Sequence, residues 1–222
     1  MTHDIKNIIK AITPPIILSG VKAVFLSKDK KEEEEKDSSW YDASFEKDDY
    51  WKCHYSLSHY YFLWTVISDR IVRAKIDSIL EIGCGSGQLA CLIRDKGVKE
   101  YHGFDFSPKR IIQAENACPE FNFSEQDAFK TDLFTTCDYS AVVCTEFLEH
   151  VEDDIGVLNR IRSGAKFYGT VPNFPFESHV RHFKNESEVL ARYRKCFQDL
   201  RVDVFLANDR GKTFYLIEGK II

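Results

Sequence analysis

The chain has 222 residues, 44% of them hydrophobic and 29% charged, which is enough to bury one sizeable core. A formal net charge of -5 argues against a broad basic field for nucleic acid. The seven cysteines are odd in number and contain no Cys-x-x-Cys pair. That count speaks against a disulfide framework or a thiolate zinc site and for a reducing, cytoplasmic setting.

Residues 1–37 read as an amphipathic N-terminal segment followed by a charged linker. Ile5, Ile8, Ile9 and Ile12 share one helical face, Pro14 and Pro15 interrupt it, and residues 28–37 are a run of Lys, Glu and Asp. A helix packed on the domain or on a partner is expected, with peripheral contact to a membrane surface as the alternative. No apolar run approaches the roughly 20 residues of a membrane span, and no secretory signal is visible. Residues 38–75 are rich in Trp, Tyr and Phe and predict a helical cap, part of which is placed to line a substrate mouth.

From residue 76 to 222 the rhythm changes. Strands are predicted near 77–82, 100–105, 121–124, 139–144, 166–171, 200–207 and 213–221, and helices near 87–96, 108–117, 153–163 and 186–195. The alternation predicts an α/β fold with a doubly wound, mostly parallel sheet of seven strands. Ser107-Pro108 and Asn185 with Glu188 read as helix starts, and Gly97 and Gly164 as helix stops. Five residues join the last two strands, too few for a parallel crossover, so the chain must end in an antiparallel hairpin.

Between the first strand and the first helix of this domain lies Glu81-Ile-Gly83-Cys84-Gly85-Ser-Gly87. Glycines at a strand–helix turn permit close approach of backbone to a ligand at the switch point of such a sheet. Gly85-Ser-Gly87-Gln-Leu-Ala90, with Asp105 beyond it, also fits the dinucleotide form G-x-G-x-x-A, so an NAD-dependent oxidoreductase is a rival reading. Asp105 ends the second strand, where a carboxylate can accept both hydroxyls of a ribose. Asp127 follows the third, where it can receive an exocyclic amine beside Phe129.

The ordered set Leu-Glu-Ile-Gly-Cys-Gly-Ser-Gly, Gly-Phe-Asp-Phe-Ser, Gln-Asp-Ala-Phe and the block at 143–151 resembles the seven-stranded, class I S-adenosylmethionine-dependent methyltransferases over residues 77–222. The resemblance implies that Gly83, Cys84, Gly85 and Gly87 border the methionine part of the cofactor and that Glu81 orients its ammonium group. By the same carry-over Asp105 holds the ribose, Phe106 flanks the adenine, Asp127 binds the adenine amine, and Ala128 and Thr145 complete the cofactor contacts.

Cys144-Thr-Glu146-Phe-Leu-Glu149-His150 follows the fourth strand, and a helical turn there would put Glu146, Glu149 and His150 on one face. Such a cluster serves either a general base, for which His150 is the candidate, or a divalent metal with mixed oxygen and nitrogen ligands, which needs a fourth group that His179 and His182, in the loop after the fifth strand, are placed to offer. The pattern Glu-x-x-Glu-His with a later histidine resembles two metal-assisted groups, the quinone-biosynthesis O-methyltransferases and the small-RNA 2′-O-methyltransferases. It implies Glu146, Glu149, His150 and His182 as ligands to Mg2+ or another divalent cation. Ile-Thr-Pro-Pro-Ile-Ile ahead of an aromatic segment is similar to methyltransferases of bacterial surface-polysaccharide clusters. That similarity implies a small hydroxyl-bearing acceptor, a sugar or a nucleotide-linked sugar, rather than RNA. Arg181, Lys184, Arg192, Arg194 and Lys195 are candidates to meet a phosphate, against the plainer reading of a solvated helix face.

Overall fold

The computed structural model describes residues 34–207 and 211–222. The amphipathic stretch, most of the charge run and residues 208–210 of the last hairpin lie outside the described residues. Among those described, no helix is long and apolar enough to cross a membrane.

The cap comprises helix α1 (Ser38–Lys47), two 3-10 turns (Asp49–Lys52 and Tyr55–Leu57) and helix α2 (Tyr61–Arg73). The rest alternates as β1 (Ser78–Ile82), α3 (Gln88–Asp95), β2 (Glu100–Asp105), α4 (Pro108–Ala117), β3 (Asn122–Glu125), α5 (Leu133–Thr136) and β4 (Ala141–Thr145). A 3-10 turn (Leu148–His150), α6 (Asp154–Leu158), β5 (Lys166–Pro172), α7 (Glu186–Tyr193), β6 (Phe197–Leu206) and β7 (Thr213–Ile221) complete it. The sheet order is β3-β2-β1-β4-β5-β7-β6. The first five strands run parallel, and β7 lies antiparallel between β5 and β6, as the short last connection requires.

Parallel strands covered by helices on both faces must be apolar on both faces. Leu80 and Ile82 enter one core with Val142, Cys144 and Phe167. Ile79 enters the other with Val143 and Tyr168, together with Leu63, Ile67 and Ile71 of α2. Each fully buried aliphatic side chain of α2 contributes roughly 1.5–3 kcal/mol, which is what holds the cap helix to the sheet. Arg70 of α2 adds ion pairs to Asp203 (2.7 Å) and Glu218 (2.8 Å) on the hairpin.

The expected helix punctuation is present, save at Gly164. Ser107 Oγ accepts from Arg110 N ahead of Pro108, Asn185 Oδ1 accepts from Glu188 N, and Gly97 follows the end of α3 with φ of 91°, whereas Gly164 (φ 88°) sits in the turn before β5, six residues beyond the end of α6. Three expectations change in detail. The helix near 153–163 is only α6, the chain adds the short α5 before β4, and β6 begins at Phe197 with an irregularity between Gln198 and Arg201.

Candidate active site

The chain leaves β1 towards β2 and β3 and then returns to place β4 on the other side of β1. The carboxyl ends of β1 and β4 therefore open a crevice, where ligands bind in such sheets. Two cavities occupy it, of about 650 Å³ and 220 Å³.

The glycine loop forms the floor. Gly83, Gly85 and Gly87 have φ of 69°, 54° and 77°, in the left-handed region where a side chain is strained. A Cβ on Gly87 would lie 3.0 Å from Ala114 Cα, so the absence of a side chain lets α3 and α4 approach. Gly87→Ala should lower stability by about 1–3 kcal/mol in urea unfolding. Cys84 is buried against Gly103 of β2, so its small side chain packs the loop onto the sheet.

The acids expected at the strand ends stand around this floor. Glu81 is buried and accepts a hydrogen bond from Tyr101 Oη. Burial pushes its carboxyl up to about 8, against the pull of the Tyr101 hydrogen bond and with the charge of Asp105 adding to the rise. Asp105 Oδ2 accepts from Gly85 N (3.0 Å) and its Oδ1 from Ser107 N (2.9 Å), so it braces the glycine loop as well as facing the smaller cavity. Asp127 lines that cavity with Phe106 and Ala128, its Oδ1 accepting from Phe129 N (2.8 Å) and its Oδ2 paired with Lys130 (2.7 Å). Glu81 and Thr145 border the larger cavity, while Gly83, Glu146 and His150 border both.

The segment after β4 is not the expected α-helical face. Glu146 has φ 52°, a left-handed conformation rare for a residue with a side chain, and only Leu148–His150 form a 3-10 turn. Thr170 of β5 holds the strained residue twice, by Glu146 N to its Oγ1 (3.0 Å) and by its hydroxyl to Glu146 Oε1 (2.9 Å). Tyr60 Oη of the cap reaches Glu146 Oε2 at 3.5 Å.

Two of the four expected ligands are corrected. Glu149, His150 and His179 form the cluster, with ligand atoms within 4.8 Å of one another, and neither Glu146 nor His182 is in it. Glu146 is instead tied to Thr170. For the histidine the reason lies in the backbone. Val180 N donates to Glu149 O (2.8 Å), which stitches the loop after β5 to the turn after β4 and delivers His179 rather than His182. Arg181 and Arg192 are not free for a phosphate. Arg181 donates to the carbonyls of Leu148, Val151 and Glu152, and both arginines pair with the buried Asp154.

The cluster has the electrostatics of a cation site. Neither oxygen of the fully buried Glu149 carboxylate has a hydrogen-bond partner among the described residues. Burial holds its pKa well above the ordinary carboxylate value, with the charge of Glu146 adding to the rise, and burial likewise lifts Glu146 to about 7. His150 Nδ1 lies 2.8 Å from Ser178 O and His179 Nδ1 3.1 Å from Phe174 O. Each carbonyl fixes the Nδ1–H tautomer and leaves Nε2 with its lone pair, the arrangement of metal-binding imidazoles. Burial pushes the two rings down to about 3 and about 4, so both are neutral at pH 7. Two neutral imidazoles and a carboxylate without a donor are a donor set that fits a divalent ion.

Three contributors had no clear signal in the sequence. Arg110 of α4 lines both cavities, with its guanidinium over the rings of Tyr41 (5.0 Å) and Trp51 (4.9 Å) from the cap. Ser86 Oγ and Gln88 Nε2 donate to Trp51 O and Cys53 O, pinning the cap to the glycine loop.

Residues 80–170 match the family described as "Methyltransferase domain". No curated protein matches the sequence. Among solved structures, the chain is similar to magnesium protoporphyrin IX methyltransferase (ChlM) from Synechocystis PCC 6803 with bound SAH. The TM-score is 0.57 at 16% identity, covering 72% of this chain and 82% of that one. It is also similar to the N-methyltransferase NodS from Bradyrhizobium japonicum WM9 in complex with S-adenosyl-L-homocysteine, with TM-score 0.58, 13% identity and coverage of 73% and 87%. The [4+2]-cyclase SpnF gives TM-score 0.60 at 12% identity, covering 72% and 80%. At such identities the likeness speaks for the fold, and the matched domain speaks for the chemistry. With the strand order, the glycine loop and the acids at the strand ends, this gives the chain a methyltransferase domain over residues 80–170, set in the seven-stranded α/β fold of the S-adenosylmethionine-dependent methyltransferases.

Proposed function

We propose that the protein transfers the methyl group of S-adenosylmethionine to a hydroxyl of a small acceptor, a sugar or nucleotide-linked sugar, in the cytoplasm. The observation that carries O-methylation is the Glu149–His150–His179 cluster at the crevice. In the reaction an acceptor oxygen attacks the methyl carbon, the sulfur–carbon bond breaks with its electrons returning to sulfur, and the hydroxyl proton is lost. The sulfur leaves neutral, so the protein's work is alignment and handling of that proton. A hydroxyl is almost wholly protonated at neutral pH and needs help that a thiol does not.

The residues present fit a divalent cation: Glu149, His150 and His179 would hold it, with Glu146 beside them. Two imidazoles favour a borderline ion such as Mn2+, Co2+ or Zn2+ over Mg2+. Such an ion, when bound, supplies a Lewis acid that lowers the pKa of an oxygen on it. His150, already depressed to about 3, is a weak proton acceptor, which supports a ligand role over that of general base. Glu146 is anchored by Thr170 and reached by Tyr60, so its place at the border of the two cavities is fixed. Tyr60, Trp64, Phe174 and Phe214 wall the larger cavity with rings, suited to the C–H faces of a sugar or to a base. The odd count of seven cysteines, without a Cys-x-x-Cys pair, supports the reducing compartment.

The test is methyl transfer from labelled S-adenosylmethionine to a panel of sugars, nucleotide sugars, phenols, amines and short RNAs, with and without chelator. Chelator-sensitive labelling of a sugar hydroxyl is expected. Labelling of amines alone, unchanged by chelator, would refute the reading.

A pH dependence follows from Glu81. In the free protein its carboxyl is protonated below about 8, whereas a bound ammonium needs the carboxylate. Binding of S-adenosylhomocysteine must then release a proton below that pH. Affinity should rise from pH 6 to 8 by up to about tenfold per unit, and level off as the ligand's own amine starts to titrate. Calorimetry across this range checks it, and Glu81→Gln should flatten the profile.

A further inference from the structure

We propose that Cys91 and Cys118 are a redox pair, which closes a reversible disulfide between α3 and α4 when the protein meets a hydroperoxide. Neither sulfur borders the two cavities of the crevice, so methyl transfer gives the pair no role.

The backbone brings the two side chains together. Strands β1, β2 and β3 are parallel neighbours, so the helices that link them, α3 and α4, run in the same direction. The helices touch where Gly87 lacks a side chain, since a Cβ there would lie 3.0 Å from both Cα and Cβ of Ala114. Cys91 and Cys118 each stand one hydrogen-bonded turn further on. Cys91 N donates to Gly87 O (3.0 Å) and Cys118 N to Ala114 O (2.9 Å). One turn advances each helix by about 5.4 Å, so residues one turn past a contact between parallel helices face each other again. The side chains agree with this. Cys91 Sγ lies 3.4 Å from Ala117 O, the residue before Cys118, and the two thiols are within hydrogen-bond reach of one another. A disulfide needs such close backbone approach and side chains aimed at each other.

The thiols are unequal, as an attacking and a resolving cysteine must be. Cys91 is half-buried and Cys118 fully buried. Arg94 stands one turn after Cys91, with Nη1 3.8 Å from Cys118 Sγ. The hydrogen bond from Cys118, with the charge of Arg94, holds Cys91 below the ordinary thiol range against its burial. Asp95 and Glu120, both paired with Arg94, oppose that effect in part. Burial pushes the thiols of Cys84 and Cys144 well up instead. A partly accessible thiol favoured as thiolate, beside a resolving cysteine, is the arrangement that peroxides oxidise selectively.

In the first step the Cys91 thiolate attacks one oxygen of the peroxide. The O–O bond breaks, its electrons leave with the other oxygen, and Cys91 becomes a sulfenic acid. The Cys118 sulfur then attacks the Cys91 sulfur, and its proton leaves with the displaced hydroxide as water. Two thiols are oxidised by two electrons and one peroxide is reduced. A thiol reductant reverses the bond by exchange. In a reducing compartment such bridges are transient and responsive rather than structural.

The experiment takes the full chain, reduced and freed of reductant, and adds hydrogen peroxide stepwise before alkylation and tryptic mapping. The first bridge is expected to join peptide 76–94 to peptide 111–130, with fragment spectra placing it at Cys91 rather than Cys84. Dithiothreitol should remove it, and the bridged chain should melt about 5–10 °C higher than the reduced one. Cys118→Ala should stop at a sulfenic acid on Cys91 that dimedone traps. A first bridge elsewhere, or oxidation of the other cysteines ahead of this pair, would overturn the proposal. So would dimedone labelling in Cys118→Ala that spares Cys91. Should that variant fail to fold, the order of oxidation in the wild type decides alone.

Discussion

Exchanging Glu149 for glutamine is expected to abolish the protein's response to divalent ions while leaving the cofactor site intact. In the wild type, an ion binding only the folded state at about 100 times its dissociation constant adds about 2.7 kcal/mol. For a chain of this length that is a rise in melting temperature of about 5–10 °C with Mn2+ or Co2+. The glutamine keeps the shape of the side chain but removes the anion, and the two histidines alone make a poorer site. Methyl transfer to the preferred acceptor should fall by about 100-fold or more, the top of the range known for disturbing the surroundings of a metal. Affinity for S-adenosylhomocysteine should stay within about twofold, because the Glu149 carboxylate is fully buried behind the cavities. Thermal melts with and without metal, alongside calorimetry, check all three. A metal-induced rise of the same size in Glu149→Gln would remove the ion from this cluster.

The parts of the molecule legible in the sequence are those set by local rules. Strands β1 and β4 announce themselves because a parallel strand buried on both faces must be apolar throughout, as Ile79–Ile82 and Ala141–Cys144 nearly are. The antiparallel hairpin follows from a connection too short for a crossover, and the glycine loop from the φ values its turn needs. What escaped is long-range. Of the two histidines after β5, His179 and not His182 joins the cluster, where the backbone hydrogen bond from Val180 N to Glu149 O ties the two loops together. No side-chain pattern encodes that link. Arg110 looks like any charged residue on an amphipathic helix until Tyr41 and Trp51 arrive from a cap some 60–70 residues earlier in the chain. The left-handed Glu146 is likewise dictated by Thr170, from the neighbouring strand. Such departures from local preference gather where function is expected, since strain persists only when the surroundings over-determine it.

Asp105 separates the two kinds of information, because it is asked to do two jobs. Its oxygens hold Gly85 N and Ser107 N, which keeps the glycine loop and the start of α4 in place. Each carboxylate oxygen has a second lone pair, and those are what remain for ribose hydroxyls. Asp105→Ala removes both functions. Two backbone amides, that of the buried Ser107 and that of the half-buried Gly85, lose their acceptor, so stability should fall by about 2 kcal/mol or more, and affinity for S-adenosylhomocysteine by about 100-fold or more. Asp105→Asn keeps one oxygen acceptor and most of the shape. Its stability should lie nearer the wild type, while affinity still falls by about 10- to 100-fold, because hydrogen bonds to a charged acceptor are the stronger ones. A cofactor analogue lacking the ribose 2′-hydroxyl completes the cycle. It should bind the wild type more weakly than S-adenosylhomocysteine does, and Asp105→Ala almost equally well, since hydroxyl and carboxylate are lost as a pair. If Asp105→Ala unfolds more easily yet discriminates between the two ligands as the wild type does, Asp105 is a brace for the loop alone, and the ribose is held by another group.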